Sequence, residues 1–228
     1  MRLNVRAMDY PELRMCEDPD GDPKIQGYRR NCCDKEPETV KWIEDYVKDG
    51  DTVWDVGANV GSYSLIAAKR NPRSTVVAIE PVYTSFYFLG LNRLINDLHN
   101  IVPFFGALTR YSGITSFGLG PSQDAIGGAG HPGIMSGDSR YKVFGINGAL
   151  LGQMIGFPRH IKIDVDGAEF EVLAGLSLSR WDSLKSMIIE VETERIGELT
   201  TLLSQHDFKP QPTLPHKFAG VSNIIFAR

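Results

Sequence analysis

The run TVWDVGANVG at residues 52–61 constrains what this chain can fold into more than any other stretch. Val53, Trp54 and Val56 suit a buried strand, and Ser62, Tyr63, Ser64, Leu65, Ile66, Ala67 and Ala68 then change to a pattern that suits a helix. Between them lie Gly57 and Gly61. A strand, a glycine turn and a helix thus follow in order, and a ligand can lie against bare peptide where the helix begins. The plain alternative is a βα turn whose glycines serve packing alone. A second β-branched run, STVVAIEP from Ser74, ends in Glu80, roughly 20 residues past the turn. In a βαβ unit an acid at that offset points at a bound ribose, because its two oxygens can accept from both hydroxyls. The alternative for Glu80 is a solvated acid closing a strand before Pro81.

What the turn lacks narrows the nucleoside. A dinucleotide fingerprint needs a middle glycine so that backbone can approach a pyrophosphate, but here the turn reads Gly57, Ala58, Asn59, Val60, Gly61. The Asn59 side chain would crowd a pyrophosphate, and Asp55 would repel phosphate while attracting a cation. An ammonium or sulfonium ligand fits better, and S-adenosylmethionine carries both. The expected cofactor contacts are Asp55, Gly57, Ala58, Asn59, Gly61, Glu80 and Pro81.

Four segments, DVGANVGSYS, AIEP, IKIDVDGAEFEVLAGL and MIIEVE, together resemble the FkbM-type class I methyltransferases, over residues 36–226. The glycine turn with its acid is shared by many methyltransferases, whereas the IKIDVDGAE string is far more specific. The resemblance implies a Rossmann-like α/β sandwich with a seven-stranded, mostly parallel sheet. Its strand order would be 3-2-1-4-5-7-6, with the last strand antiparallel and helices on both faces. It implies S-adenosylmethionine as cofactor, Ala107 against the adenine, and a helix opened by Glu36 and Pro37. It also implies in-line methyl transfer to a hydroxyl of a sugar, glycolipid or natural-product-like acceptor. A non-catalytic S-adenosylmethionine-binding scaffold and a nicotinamide-dependent Rossmann enzyme are the alternatives.

The IKIDVDGAE string repays a residue-level reading. Alternation puts Ile161 and Ile163 on one strand face and Lys162 and Asp164 on the other, with Val165 closing the strand. Asp164 then lies at the carboxyl tip, where open α/β sheets bind ligands. It is expected both to touch the cofactor and to be the first choice of catalytic base, ahead of Glu169 and Glu190. Asp166 followed by Glu169 is also the pattern of a helix N-cap with an acid in the first turn. Lys162, on a central strand, needs a partner, and Glu190 at the end of the next strand is the expected one.

Composition adds bounds. The 228 residues, 42% hydrophobic and 23% charged, suit one domain with a sizeable core, expected over residues 32–228. Residues 1–31 hold three prolines and no sustained period, and read as an irregular arm. A helix is expected over residues 34–48 with Gly50 as its stop, and another over residues 82–96. A net charge of −4 argues against a nucleic-acid partner. No signal peptide and no membrane-length apolar run occur, so a cytoplasmic protein with a small-molecule or glycan acceptor is expected. Cys16, Cys32 and Cys33 read as reduced thiols, and the five scattered histidines supply no ligand spacing, so no metal centre is expected. Eight of the 23 glycines fall within residues 112–140. That segment reads as a substrate lid beginning with a short hairpin near Ile114, with His131 as a lone loop histidine, and disorder without function is the alternative.

Overall fold

The computed structural model describes residues 4–119, 130–131, 141–178, 181–217 and 219–228. Its centre is a seven-stranded sheet of β3 (Thr52–Val56), β4 (Thr75–Glu80), β5 (Ile101–Phe105), β10 (His160–Ile163), β11 (Ser186–Glu192), β12 (Lys209–Pro210) and β13 (Val221–Ala227). The spatial order is β12-β13-β11-β10-β3-β4-β5. Numbered among themselves the strands run 3-2-1-4-5-7-6, as the family resemblance implies. β3, β4, β5, β10 and β11 are parallel, and β13 lies antiparallel to β11.

Both faces of the sheet are covered, which is why the central strands read as continuous apolar runs rather than clean alternations. Val53, Val76, Ala78 and Ile188 pack with α3 (Pro37–Tyr46), α4 (Ser62–Arg70) and α5 (Tyr83–Ile95) through Trp42, Leu65, Phe88 and Leu89. Trp54, Val56, Val77, Ile79, Ile161 and Ile163 face the other way, against α7 (Glu169–Leu176) and α8 (Ile196–Ser204) through Val172, Leu176 and Leu199. Fully buried Trp54 meets Trp181 edge to face with ring centres 5.4 Å apart. The residues that alternate along each strand thus belong to two separate cores.

Several expectations need correction. Residues 4–30 are not an irregular arm. β1 (Asn4–Ala7) pairs with β2 (Arg14–Glu17), and α1 (Pro23–Arg30) follows, with Asp22 accepting from Lys24 N at 2.8 Å as N-cap and Pro23 in the first turn. Leu13, Met15 and Cys16 are buried in the same core as Trp42, so this segment is built onto the sheet sandwich. The helix expected over residues 34–48 is two, α2 (Cys32–Lys35) and α3, parted at Glu36, and α3 ends at Tyr46 before Gly50 is reached. β10 stops at Ile163 rather than Val165.

In the glycine-rich region, β7 (Gly113–Leu119) does not fold back on itself. It pairs with β9 (Tyr141–Ile146), joined on either side by β6 (Ala107–Leu108) and β8 (Gly130–His131). Most of the expected lid, residues 120–129 and 132–140, lies outside the described residues. α6 (Gly148–Ile155), capped by Asn147, then leads into β10. Among the described residues no helix is long and apolar enough to cross a membrane.

Candidate functional site

The site lies at the carboxyl ends of β3, β4 and β10. Beyond β3 the chain turns through Gly57 at φ 81° and Asn59 at φ 52°, and Gly57 N and Ala58 N both donate to Ile79 O at 3.0 Å. Gly57 is needed for space as well as for its backbone angle. A β-carbon there would stand 1.8 Å from the Asp164 carbonyl oxygen, so the turn can pass the tip of β10 only as glycine. Gly61, at φ 92°, is the residue before α4, and a β-carbon there would meet Leu89 at 2.4 Å.

Glu80 closes the turn from the neighbouring strand. One carboxylate oxygen accepts from Asn59 N and the other from Val82 N, both at 2.7 Å. Burial pushes its carboxyl up to about 7 in spite of these two amides and the Arg29 cation. The group is thus poised: a donor that reaches its remaining lone pairs favours the charged form. Around it a cleft of about 530 Å³ is walled by Ile79, Val82, Ala107, Leu108 and Val172 and floored by Gly57 and Asn59, with Asp164 and Asp166 at its other end. A second cleft of about 310 Å³ shares Gly57, Asn59 and Asp164 and continues under α1 and α2, where Arg29, Lys35, Tyr63 and Lys162 line it.

Of the expected contacts, Gly57, Ala58, Asn59, Glu80, Pro81, Ala107 and Asp164 line one or both clefts. Asp55 and Gly61 do not. Asp55 lies beneath the turn with 3% exposure, where Ser64 donates to one oxygen at 2.6 Å and Lys162 Nζ stands 3.6 Å from the other. It supports the turn from beneath, and its second oxygen, with Lys162 as its ion-pair partner, accepts no hydrogen bond from within the described residues.

Register explains the partner of Lys162. On β10 it is level with Asp55 of β3 and with Ile188 of β11. Glu190 is two residues further along, level with Asp164. Lys162 Nζ therefore pairs with Asp164 at 2.9 Å and with Asp55, not with Glu190 as expected from the sequence. Glu190 instead shares a proton with Asp164. Burial opposes the charge on Asp164, but Lys162 and the hydrogen bond from Glu190 hold it well below the ordinary carboxylate range. Asp164 and burial push Glu190 up to about 10. At neutral pH the pair is Asp164 carboxylate with Glu190 as the acid. Behind Glu190, His216 Nε2 lies 3.7 Å away, and His216 Nδ1 is 2.5 Å from buried Glu38.

The expected N-cap is also corrected. Asp166 sits in the left-handed region at φ 50°, and the residue before α7 is Ala168, which makes no side-chain cap bond. Asp166 is thereby turned toward Asp164 and Glu190, and carboxylate oxygens of the three lie within 4.8 Å of one another. Glu169, at the start of α7, accepts from Gly167 N at 2.8 Å, is 3% exposed, and lines neither cleft. Its role in the structure is to hold that turn.

Arg29 and Lys35 were missed. Burial lowers the Arg29 guanidinium from its usual value, offset by the carboxylates of Asp164, Glu80, Asp166 and Glu36. The Asp22-Pro23 pair, a helix-start signal, could have revealed the helix that brings Arg29 over the turn. Nothing local could have shown what that helix covers.

A family model described as the methyltransferase FkbM domain matches residues 55–210, which span the glycine turn, Glu80, Asp164 and Glu190. The chain belongs to this family of methyltransferases. Among curated relatives, the 31-O-demethyl-FK506 methyltransferase FkbM of Streptomyces tacrolimicus is 26% identical over 76% of this chain and 78% of its own. The hexuronic acid methyltransferase AglP of Haloferax volcanii is also 26% identical, over 75% of this chain and 68% of its own. Solved structures of the same fold include M. jannaschii TYW2 in complex with AdoMet. It has a TM-score of 0.55 at 14% identity, covering 99% of this chain and 86% of that one. The precorrin-6y C5,15-methyltransferase of Geobacter metallireducens GS-15 has a TM-score of 0.53 at 15% identity, covering 96% and 99%.

Proposed function

We propose that this FkbM-family chain is an S-adenosylmethionine-dependent O-methyltransferase acting on a hydroxyl of a sugar, glycolipid or natural-product-like molecule. The observation that carries the cofactor reading is the buried Glu80 carboxylate. Both its oxygens are fixed by backbone amides at the edge of an apolar cleft. Ribose hydroxyls would donate to its remaining lone pairs, and the adenine would lie between Ile79, Val82, Ala107 and Leu108. The methionine end would then extend past Gly57 and Asn59 into the second cleft toward Arg29 and Lys35. When bound, S-adenosylmethionine supplies a methyl group already activated on a sulfonium sulfur, so the protein's task is alignment.

Asp164 is the residue placed to align the acceptor. It stands at the junction of the two clefts and is kept ionised by Lys162, so it can accept a hydrogen bond from an incoming hydroxyl. A hydroxyl that gains a methyl group becomes a strong acid, and even a carboxylate held below its ordinary range can take that proton. Glu190, holding its own proton, keeps Asp164 oriented. Glu169 lines neither cleft and is not retained as a base.

The acceptor class follows from charge. Asp164 and Asp166 line one end of the cleft, and their charge disfavours a carboxylate acceptor such as a uronic acid and suits a neutral hydroxyl. Calorimetry with S-adenosylmethionine tests the first half: wild type binds and Glu80→Ala does not. Mass spectrometry of paired acceptors, neutral sugars against their uronic acids, tests the second. Gain of one methyl as an alkali-stable ether on the neutral sugar is the expected result. An alkali-labile ester on the uronic acid alone would overturn the hydroxyl assignment while leaving the cofactor site standing.

A further inference from the structure

On the outer side of the second cleft's wall, another group of side chains comes together from parts of the chain that no motif connects. Asp9 lies in the turn between β1 and β2, and Cys32 and Cys33 open α2. Donor atoms of all three, one carboxylate oxygen and two sulfurs, lie within 4.8 Å of one another. Asp9 is held for this meeting: Asp34 N donates to one of its oxygens at 2.9 Å and leaves the other 3.8 Å from the Cys32 sulfur. Its own amide donates to Arg30 O at 3.1 Å, tying the hairpin turn to the end of α1. The burial is graded, with Cys32 buried, Cys33 half-buried and Asp9 exposed, so the group has an inner anchor and an open side.

We propose that Asp9, Cys32 and Cys33 form a binding site for one thiophilic divalent cation of the zinc class, with water as the fourth ligand. Two thiolates and a carboxylate are a donor set that Zn2+ accepts and that Mg2+ or Ca2+ does not favour. With Zn–S near 2.3 Å and Zn–O near 2.1 Å, a tetrahedral ion holds its donors roughly 3.5 Å apart. The group must contract by about an ångström, which rotation of the half-buried Cys33 and exposed Asp9 side chains can supply. Contact with the Cys33 thiol and burial push the Cys32 thiol up. On binding, each thiol loses its proton to solvent as its Zn–S bond forms.

The site would join two pieces of chain next to the cofactor cleft. Cys32 lines the second cleft beside Arg29 and Lys35, and Tyr63 donates to the Cys32 carbonyl at 3.4 Å. An ion there would pin α2 to the hairpin turn and stiffen the wall that carries both cations. The inference does not depend on the methyltransferase chemistry.

The test uses the full chain, reduced and freed of metal. Cd2+ is titrated and followed by thiolate-to-metal charge-transfer absorption, and Zn2+ by competition with a chromophoric chelator. One ion per chain is expected in each case. Cys33→Ser should weaken Zn2+ binding by more than about 100-fold, because a lost ligand costs more than the 10- to 100-fold of an outer-shell change. Asp9→Asn should weaken it by about tenfold, and Cys16→Ser should leave it unchanged. Should Cys33→Ser fail to fold, protection of wild-type Cys33 from maleimide by equimolar Zn2+ provides the same decision. No uptake by wild type, uptake that survives Cys33→Ser, or absence of protection would overturn the site.

Discussion

Glu80 allows a stringent test because stability and ligand binding should respond to its ionisation in opposite directions. Its carboxyl is raised from an ordinary 4.5 to about 7, chiefly by burial. A group whose folded value lies above its unfolded one stabilises the fold fully below the unfolded value. That contribution is lost as pH rises through the folded value. At roughly 1.4 kcal/mol for each pH unit, the ligand-free protein should lose about 3 kcal/mol from this group between pH 4.5 and pH 7. Glu80→Gln removes the titration. Its amide cannot accept from both Asn59 N and Val82 N, so it brings a constant cost of about 1–3 kcal/mol for the unsatisfied donor. The difference in unfolding free energy between wild type and Glu80→Gln, measured by urea denaturation across this range, should therefore change by about 3 kcal/mol. Wild type should be the relatively stronger at the acid end.

Affinity for S-adenosylmethionine should move the other way. Ribose hydroxyls donate to the carboxylate, so wild-type binding should be about tenfold weaker at pH 6 than at pH 8 as the carboxyl takes up its proton. Glu80→Gln should bind with little dependence on pH over that interval. At pH 8 it should be weaker than wild type by about 1.5–3 kcal/mol, the worth of one charge-assisted hydrogen bond. A flat stability difference would refute the burial reasoning. A pH-dependent difference with unaltered affinity would refute the ribose contact alone.

Gly57→Ala should destabilise by about 3 kcal/mol or more, because it combines left-handed backbone strain with a β-carbon 1.8 Å from the Asp164 carbonyl. Gly50→Ala, also at positive φ but with no atom within 4 Å, should cost only about 1–2 kcal/mol in the same melts. Lys162→Met should cost about 3–5 kcal/mol at pH 8, since buried Asp55 and half-buried Asp164 both lose their cation. The loss should shrink at pH 5 as a carboxyl is protonated, and a melting temperature unchanged at pH 8 would refute the pairing.

Much of the fold was legible because its signals are local. Strand residues 52–56, 75–80 and 101–105 are bounded by glycine, proline or acid, and their apolar runs announce a sheet buried on both faces. Glu80 and the turn were legible for the same reason, since one βαβ unit fixes their separation. The missed or misread features depend on neighbours distant in sequence. α1 carries a cap signal in Asp22 and Pro23, but the covering role of Arg29 arises only when the helix docks on the turn. Lys162 and Glu190 were joined because they sit on successive strands, but parallel register displaces them by two residues and brings Asp55 and Asp164 to Lys162 instead. Asp166 followed a capping pattern, yet its left-handed backbone delays α7 and turns the carboxylate toward Glu190.

The sequence by itself determined the βαβ unit and the chemical character of its turn: a glycine at the end of the first strand, an asparagine where a pyrophosphate would need bare backbone, and an acid roughly 20 residues on. These depend on chain geometry over about 30 residues. Only the tertiary structure decided which charges meet. Strand register and helix docking determined that Asp55 supports the turn from beneath, that Asp164 is the ionised member of its pair with Glu190, and that Asp9 reaches two cysteines. The physical reason is that proton affinity and ion pairing depend on burial and on neighbours within a few ångströms, which sequence separation does not encode.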